Sequence, residues 1–421
     1  MLQVITNMNY EDARMSLIKK FIEDVRVYGA KYAYKHTILK ANKIIDKAVL
    51  AIVKFVSKNA GIKNIIVIES HNDFDCNGGA FYNYLVKKGI NKTYRIVWLI
   101  KNKKPKSLPE NVYAFNIYRA SLRKNIFICR ASIFLSDDIV TDKVKEKQIS
   151  IYCTHGGCTF KNVKGKIIVS DSVDYILSSS SKYDPFMCDN YSIPYPNRKM
   201  LHFGFPSNDI FFETHDNEFD KLSTTKFDHY FLWMPTFRKG GGIGRNDSNK
   251  EYALEIPLIE DLEQLITLND YLKKNNSILT IKLHPMQEIN YNRLPSDMSN
   301  IFIIDGIKAK ELGLDSYAMM ASSDVFFSDY SSASYSFLLL NRPIGFVIDD
   351  INEYKVGFTV DNIFDYLPGM LIHNLDEFIS LLENYYSGCD YYKSSREKMA
   401  SWMYEYIDGK ACERLADFLN L

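Results

Sequence analysis

Read for hydrophobic periodicity, the chain shows three textures. From Glu11 to about Lys58 there is no proline and one glycine, Gly29, and apolar residues recur at helical spacing: Leu17, Phe21, Val25 and Tyr28, then Ile44, Ile45, Ala48, Ile52, Phe55 and Val56. That spacing predicts two helices. From Gly61 the texture changes to short apolar runs, too brief for helices, at Asn64–Ile68, Arg95–Ile100, Ala131–Leu135 and Gln148–Tyr152. They alternate with helical stretches such as Ala80–Lys88 and Tyr118–Cys129. Such alternation predicts parallel strands with crossover helices.

The alternation fades over Phe211–Phe227, which is polar and charged and reads as a linker. A second series follows: Tyr230–Met234, a helix over Leu258–Lys273, Ile278–Leu283, Ile301–Ile304, Asp324–Phe327, a helix from Ser331, and Ile344–Ile348. From Leu375 to Leu421 the pattern is helical. The expected division is therefore a helical segment at 1–60, an α/β half at 61–210, a linker at 211–227, a second α/β half at 228–375 and helices at 376–421. Two α/β halves joined in this way would place a ligand cleft between them.

Composition narrows the classes. Of 421 residues, 46% are hydrophobic and 24% charged, which is a globular balance. Lysine plus arginine number 52 against 51 acidic residues, a net charge of +1, so a dedicated nucleic-acid binder is not expected. No stretch approaches the roughly 20 continuous apolar residues of a membrane span. The opening residues lack a basic segment followed by an apolar one, so no secretory signal is expected. Seven cysteines, an odd count, fit reduced cytosolic thiols, and Cys153 with Cys158 lacks the second pair of a zinc site. Lysines are dense in the first segment (Lys40, Lys43, Lys47, Lys54). They read first as the solvated face of a packed helical pair, and second as a basic amphipathic surface resting on anionic lipid.

Four constellations carry candidate chemistry. Phe327-Ser328-Asp329-Tyr330-Ser331-Ser332 follows a strand and opens a helix; its serines suit either plain N-capping or phosphate held at the free amides. Ile281-Lys282-Leu283-His284-Pro285 ends a strand, and the proline holds His284 extended at the edge where α/β sheets bind ligands. Thr154-His155-Gly156-Gly157 follows another strand, with Lys161, Lys164 and Lys166 downstream. His155 there fits a general base beside a phosphate, or equally an ordinary loop histidine. Pro235-Thr236-Phe237-Arg238 ends the first strand of the second half, and Arg238 is a candidate phosphate fork. The run Lys239–Arg245 reads as a flexible lid or a plain surface loop. Glu69-Ser70 and Asn77-Gly78-Gly79 are further candidates to line the cleft.

Taken in order with Val97-Trp98, Gly204-Phe205-Pro206, Asn208-Asp209, Arg342-Pro343 and Pro368-Gly369, these segments resemble the CDP-glycerol glycerophosphotransferase family of teichoic-acid primases and polymerases. The resemblance implies an α/β, GT-B-like fold: two Rossmann-like domains with parallel sheets facing a central cleft, plus the N-terminal helical segment. The first half would then take the acceptor and the second the CDP donor. It implies transfer of glycerol phosphate or a related alditol phosphate from CDP-glycerol or CDP-ribitol to a hydroxyl, releasing CMP. The acceptor would be a polyol-phosphate, a saccharide or a lipid-linked precursor, met in the cytoplasm, with an anionic membrane surface as a candidate partner. The family's two important histidines fall on His155 and His284, and its donor-phosphate contacts on Arg238, Thr236, Ser331 and Ser332. Glu69, Ser70, Gly156, Lys282 and Asp329 complete the expected cleft lining, and no metal or cofactor is expected. The chain departs from the family's pattern at Gly157-Cys158, at Ser207 where an arginine is common, and at Ser336 where an aspartate is expected. Two rival readings stand beside this one: a GT-B glycosyltransferase using a nucleotide sugar for capsule or surface glycan, and a degenerate polymer-binding module.

Overall fold

The computed structural model describes residues 29–238, 246–287, 289–295 and 298–421, together with Ile22, Val25 and Arg26. The chain packs into two compact units, one of residues up to Asp75 with Leu85–Ile151, the other of Cys76–Tyr84 with Tyr152–Leu421.

In the first unit, β1 (Ile65–Glu69), β2 (Arg95–Ile100), β3 (Val112–Asn116), β4 (Ile133–Ser136) and β5 (Ile149–Tyr152) lie in the order β3-β2-β1-β4-β5. The pairs β1–β2, β1–β4 and β2–β3 are parallel. The central runs, β1 and β2, are almost continuously apolar because both faces are covered, whereas the edge strand β3 alternates between buried and half-buried positions. Ile65, Val67, Val97, Leu99, Phe127, Ile128 and Phe134 form one core cluster. The crossover helix begins at Leu122, four residues later than its periodicity suggests, because the Ser121 hydroxyl caps Lys124 N–H.

The first of the two predicted N-terminal helices lies largely outside the described residues. The second is one helix, Ala30–Val56. It is held to the unit by Leu50, which packs against the core cluster, and by a polar clamp: Asp46 pairs with Lys124 at 2.7 Å and accepts from Asn125 at 2.9 Å. Several apolar positions on it stand in solvent instead of packing, including Ile52 at 63% and Phe55 at 65% exposure. No described helix is long and apolar enough to cross a membrane.

The second unit carries the short parallel pair β6 (Tyr175–Leu177) and β7 (Met200–Leu201). It also carries a six-stranded parallel sheet of β8 (His229–Trp233), β9 (Ser277–Lys282), β10 (Ile301–Ile304), β11 (Val325–Ser328), β12 (Ile344–Val347) and β13 (Met370–Ile372). The order is β10-β9-β8-β11-β12-β13. Numbered within the sheet this is 3-2-1-4-5-6, the Rossmann order, which reverses direction between β8 and β11. The expected fold class therefore holds: two sheets of parallel strands in an α/β chain. Asp261 caps Gln264 N–H, so the helix Leu262–Lys274 starts later than Leu258. At the other end of the unit, the Asp209 carboxylate accepts N–H of Ala411 and Cys412 at 2.9 and 2.8 Å, fixing the start of the helix Ala411–Phe418.

The core of this sheet is Phe231, Trp233, Leu265, Leu268, Leu279, Ile281, Phe327, Phe378 and their neighbours. Phe327 on β11 stacks on Phe378 of the helix Leu375–Tyr386 with ring centroids 3.8 Å apart. Phe378→Ala leaves a cavity beneath the central strands. The expected loss is about 3–5 kcal/mol of unfolding free energy, read from the denaturant midpoint.

Candidate functional site

Three adjacent strands of the Rossmann-ordered sheet, β9, β8 and β11, end on the same edge, beside the point where strand order reverses. Beyond their carboxyl ends lies a cavity of about 360 Å³ within the second unit. The segment after β8 supplies Thr236, the last residue of β9 is Lys282 and His284 follows it, and the turn after β11 supplies Ser331 and Ser332. The opposite wall comes from the segment after β5, with His155, Gly157, Thr159, Lys161 and Lys166, and from Tyr183 and Tyr191. Both histidines thus meet one cavity.

His155 is the exposed member of an otherwise buried loop. Thr154 before it has φ +62° and Gly156 after it φ +81°, so the backbone turns sharply and thrusts the imidazole outward. A β-branched residue in the left-handed region costs of order 1–3 kcal/mol and persists only when its surroundings fix it. Asn77 does the fixing. Its fully buried amide nitrogen lies 2.9, 3.0 and 3.0 Å from the carbonyl oxygens of Cys153, Thr154 and Gly156. Its Oδ1 accepts from the backbone N–H and the hydroxyl of Ser207 at 3.1 and 2.8 Å. Gly156 N–H donates to Cys76 Sγ at 3.1 Å. A Cβ at residue 156 would come within 3.0 Å of Ser332 Oγ, so the histidine loop rests against the serine turn.

His284 is half-buried, with Phe237 against its ring at 5.7 Å between centroids. Met286 N–H donates to its Nδ1 at 3.2 Å. An accepting Nδ1 leaves Nε2 as the protonated nitrogen of the neutral ring, a hydrogen-bond donor. Ser331 caps the helix Ser332–Phe337 through Ala333 N–H at 3.3 Å.

Arg238 is placed differently from its expected role. It is buried and absent from the cavity wall. Its fork closes on Asp350, Nε to Oδ2 at 2.6 Å and the second amino nitrogen to Oδ1 at 3.0 Å, and its other amino group meets Asp329 Oδ2 at 2.9 Å and Thr236 Oγ1. Burial alone would lower its proton affinity, but Asp329 and Asp350 outweigh that and carry it above the ordinary arginine value. Asp329 Oδ2 also accepts the N–H and hydroxyl of Thr236 at 2.9 and 2.8 Å, so Asp329 sits behind the wall as a hub. Tyr354 covers the guanidinium at 5.3 Å. The segment from Tyr354 to Phe358 is bridged antiparallel to Ser248 at Tyr354 and to Lys161 at Phe358.

Glu69 and Ser70 belong to the first unit. Glu69 pairs with Lys101 at 2.6 Å, and Lys101 also reaches Asp138 at 2.7 Å. Burial pushes the Glu69 carboxyl up despite that lysine, while hydrogen bonds from His71 and Lys101 hold Asp138 well below the usual range. The expected lid, Lys239–Arg245, lies outside the described residues. Among the described residues, no group of three or more His, Cys, Asp or Glu side chains is placed to hold a metal ion.

The family model described as CDP-Glycerol:Poly(glycerophosphate) glycerophosphotransferase matches residues 51–421. The chain belongs to this family. The teichoic acid ribitol-phosphate polymerase TarL of Staphylococcus aureus is 24% identical over 362 residues, covering 80% of this chain and 58% of TarL. The teichoic acid poly(glycerol phosphate) polymerase of Bacillus spizizenii is 23% identical over 337 residues, covering 74% of this chain and 79% of the relative. The chain thus spans a little over half the length of TarL. The solved wall teichoic acid polymerase TagF shares the fold, with a TM-score of 0.70 and 19% identity over 97% of both chains.

In this family member, the positions that depart from the resembled pattern gather around the His155 loop. A Cβ at Gly157 would meet Ser336 Oγ at 3.0 Å, Cys158 Sγ lies 3.0 Å from Ser179 Oγ, and Ser207 is bonded to Asn77. Burial pushes the Cys158 thiol up to about 12, leaving it a packing group. Asp350 and Tyr354 went unnoticed in the sequence; the one signal for Asp350 was its place just beyond an apolar strand run.

Two substitutions separate the roles. Arg238→Met strands two buried carboxylates and is expected to cost about 3–5 kcal/mol, seen as lost folded protein in a chemical melt before any rise in donor KM. Asn77→Asp sets an anion against three carbonyl oxygens. It is expected to cost at least about 2 kcal/mol and to lower kcat while donor KM stays near its original value.

Proposed function

We propose that the chain transfers an alditol phosphate, glycerol phosphate or ribitol phosphate, from its CDP-activated form to a hydroxyl of a polymer or its lipid-linked precursor, releasing CMP. The observation that carries this reading is the meeting of His155, His284, Lys282 and the Ser331-Ser332 turn on one cavity at the sheet's switch point, in a chain of this family. Such edges are where open α/β sheets hold nucleotides and phosphates.

The chemistry follows from the two walls. The acceptor hydroxyl gives its proton to His155, and its oxygen attacks the phosphorus that carries the alditol. The bond from that phosphorus to the bridging oxygen breaks, and the electron pair leaves with CMP. A positioned general base supplies about 10² to 10⁴ in rate. His284, with Nε2–H as donor, and the serine turn take up charge on the phosphoryl oxygens and the leaving CMP. Positioning and charge stabilisation carry most of such a transfer. Thr236 shapes the floor, held by Asp329 and Arg238 behind it. Seven cysteines, none of them in a disulfide, suit the reducing cytoplasm in which this reading places the reaction.

The test is CMP release from CDP-glycerol, CDP-ribitol and a panel of nucleotide sugars, with and without polyol-phosphate acceptors. CDP-alditols are expected to turn over; nucleotide-sugar turnover alone would replace this reading with a glycosyltransferase. His155→Ala is expected to lower kcat by about 10² to 10⁴ with donor KM within a few-fold. Loss of donor binding with turnover preserved would contradict the base assignment.

A further inference from the structure

With Arg238 closed on its carboxylates, the cavity needs another source of positive charge. Lys282 is nine-tenths buried at the carboxyl end of β9 and lines the cavity. Its ammonium makes no hydrogen bond or ion pair among the described residues. Asp315 exerts a favourable field on it, but burial dominates and lowers its proton affinity below the ordinary lysine value. The other lysines lining the cavity are differently placed: Lys166 is exposed, and Lys161 is half-exposed on the segment bridged to Phe358.

We propose that Lys282 is the cation that receives the diphosphate of the activated donor, a binding residue with no carboxylate beside it among the described residues that line the cavity. The inference rests on the proposed activity for the identity of the donor, but not for the existence of the anion site. A buried ammonium without a partner is costly to maintain, and an anion entering the cavity removes the cost. Lys282 and His284 stand two residues apart in extended chain, with Pro285 holding the second extended, so both project to one side. One offers a full charge and the other a neutral N–H, a pair matched to adjacent phosphoryl oxygens. The same chemistry would suit a terminal phosphate on the acceptor; adjacency to the strand switch point favours the donor.

The experiment compares wild type, Lys282→Met, Lys282→Gln and Lys282→Arg by calorimetry with inorganic pyrophosphate and, separately, sn-glycerol 3-phosphate. Each is also melted with and without pyrophosphate. Loss of a charge-assisted hydrogen bond predicts pyrophosphate binding about 10- to 100-fold weaker in the Met and Gln variants, with Arg retaining most of it. Without ligand, Lys282→Met is expected to melt higher than wild type, because an unpaired buried charge has gone. Pyrophosphate should then stabilise wild type more than the variant. A structural lysine would give the reverse: a lower melt and unchanged pyrophosphate affinity. That result, or absence of pyrophosphate binding in wild type, overturns the assignment, as does weakening confined to glycerol phosphate. If the pyrophosphate effect holds while no CDP-alditol is turned over, the anion site stands and the proposed reaction falls.

Discussion

One buried guanidinium ties together three strand ends. Arg238 follows β8, Asp329 follows β11 and Asp350 follows β12, and their hydrogen bonds close into a knot that also takes both donors of Thr236. Such a triad adds little net stability over apolar packing, since desolvation offsets most of the attraction. Its effect is geometric. It fixes where the floor of the cavity lies relative to the serine turn, and it does so with groups that never reach the cavity themselves.

Much of the fold was legible because its strands are buried on both sides. Runs such as NIIVI and RIVWLI admit few other structures, and the proline after His284 marked a strand edge, with β9 ending at Lys282. Helix starts were less legible: Ser121 and Asp261 stop the helical turn where apolar periodicity alone ran on. The fate of Arg238 was not legible at all. Its partner Asp350 is 112 residues away, and an arginine after a strand reads the same whether it faces a phosphate or a carboxylate. The support of the His155 loop was hidden for the same reason, since Asn77 lies 76 residues before its nearest acceptor. The periodicity of Ala30–Val56 gave the helix but not its cover, and several of its large apolar side chains remain exposed.

The site therefore divides into groups that touch the cavity and groups that hold them still. His155, His284, Lys282, Ser331 and Ser332 are the first kind; Asn77, Arg238, Asp329 and Asp350 are the second. The supporting groups are the more deeply buried, and Asn77, Arg238 and Asp329 each serve several partners at once. Residue type at a strand edge marks the contact groups. Only the packed structure reveals the supports.

One of the two hydrogens on the α-carbon of Gly156 has a consequence of its own. With a positive φ and Ser332 Oγ only 3.0 Å from where a methyl would stand, that hydrogen is the spacer between the imidazole's loop and the opening turn of the next wall. A larger side chain there would meet both that oxygen and a backbone angle that side chains rarely adopt, so the close spacing of the two segments is written in the backbone. Widening the space between these two segments would require moving one of them bodily, because glycine already has no side chain to trim.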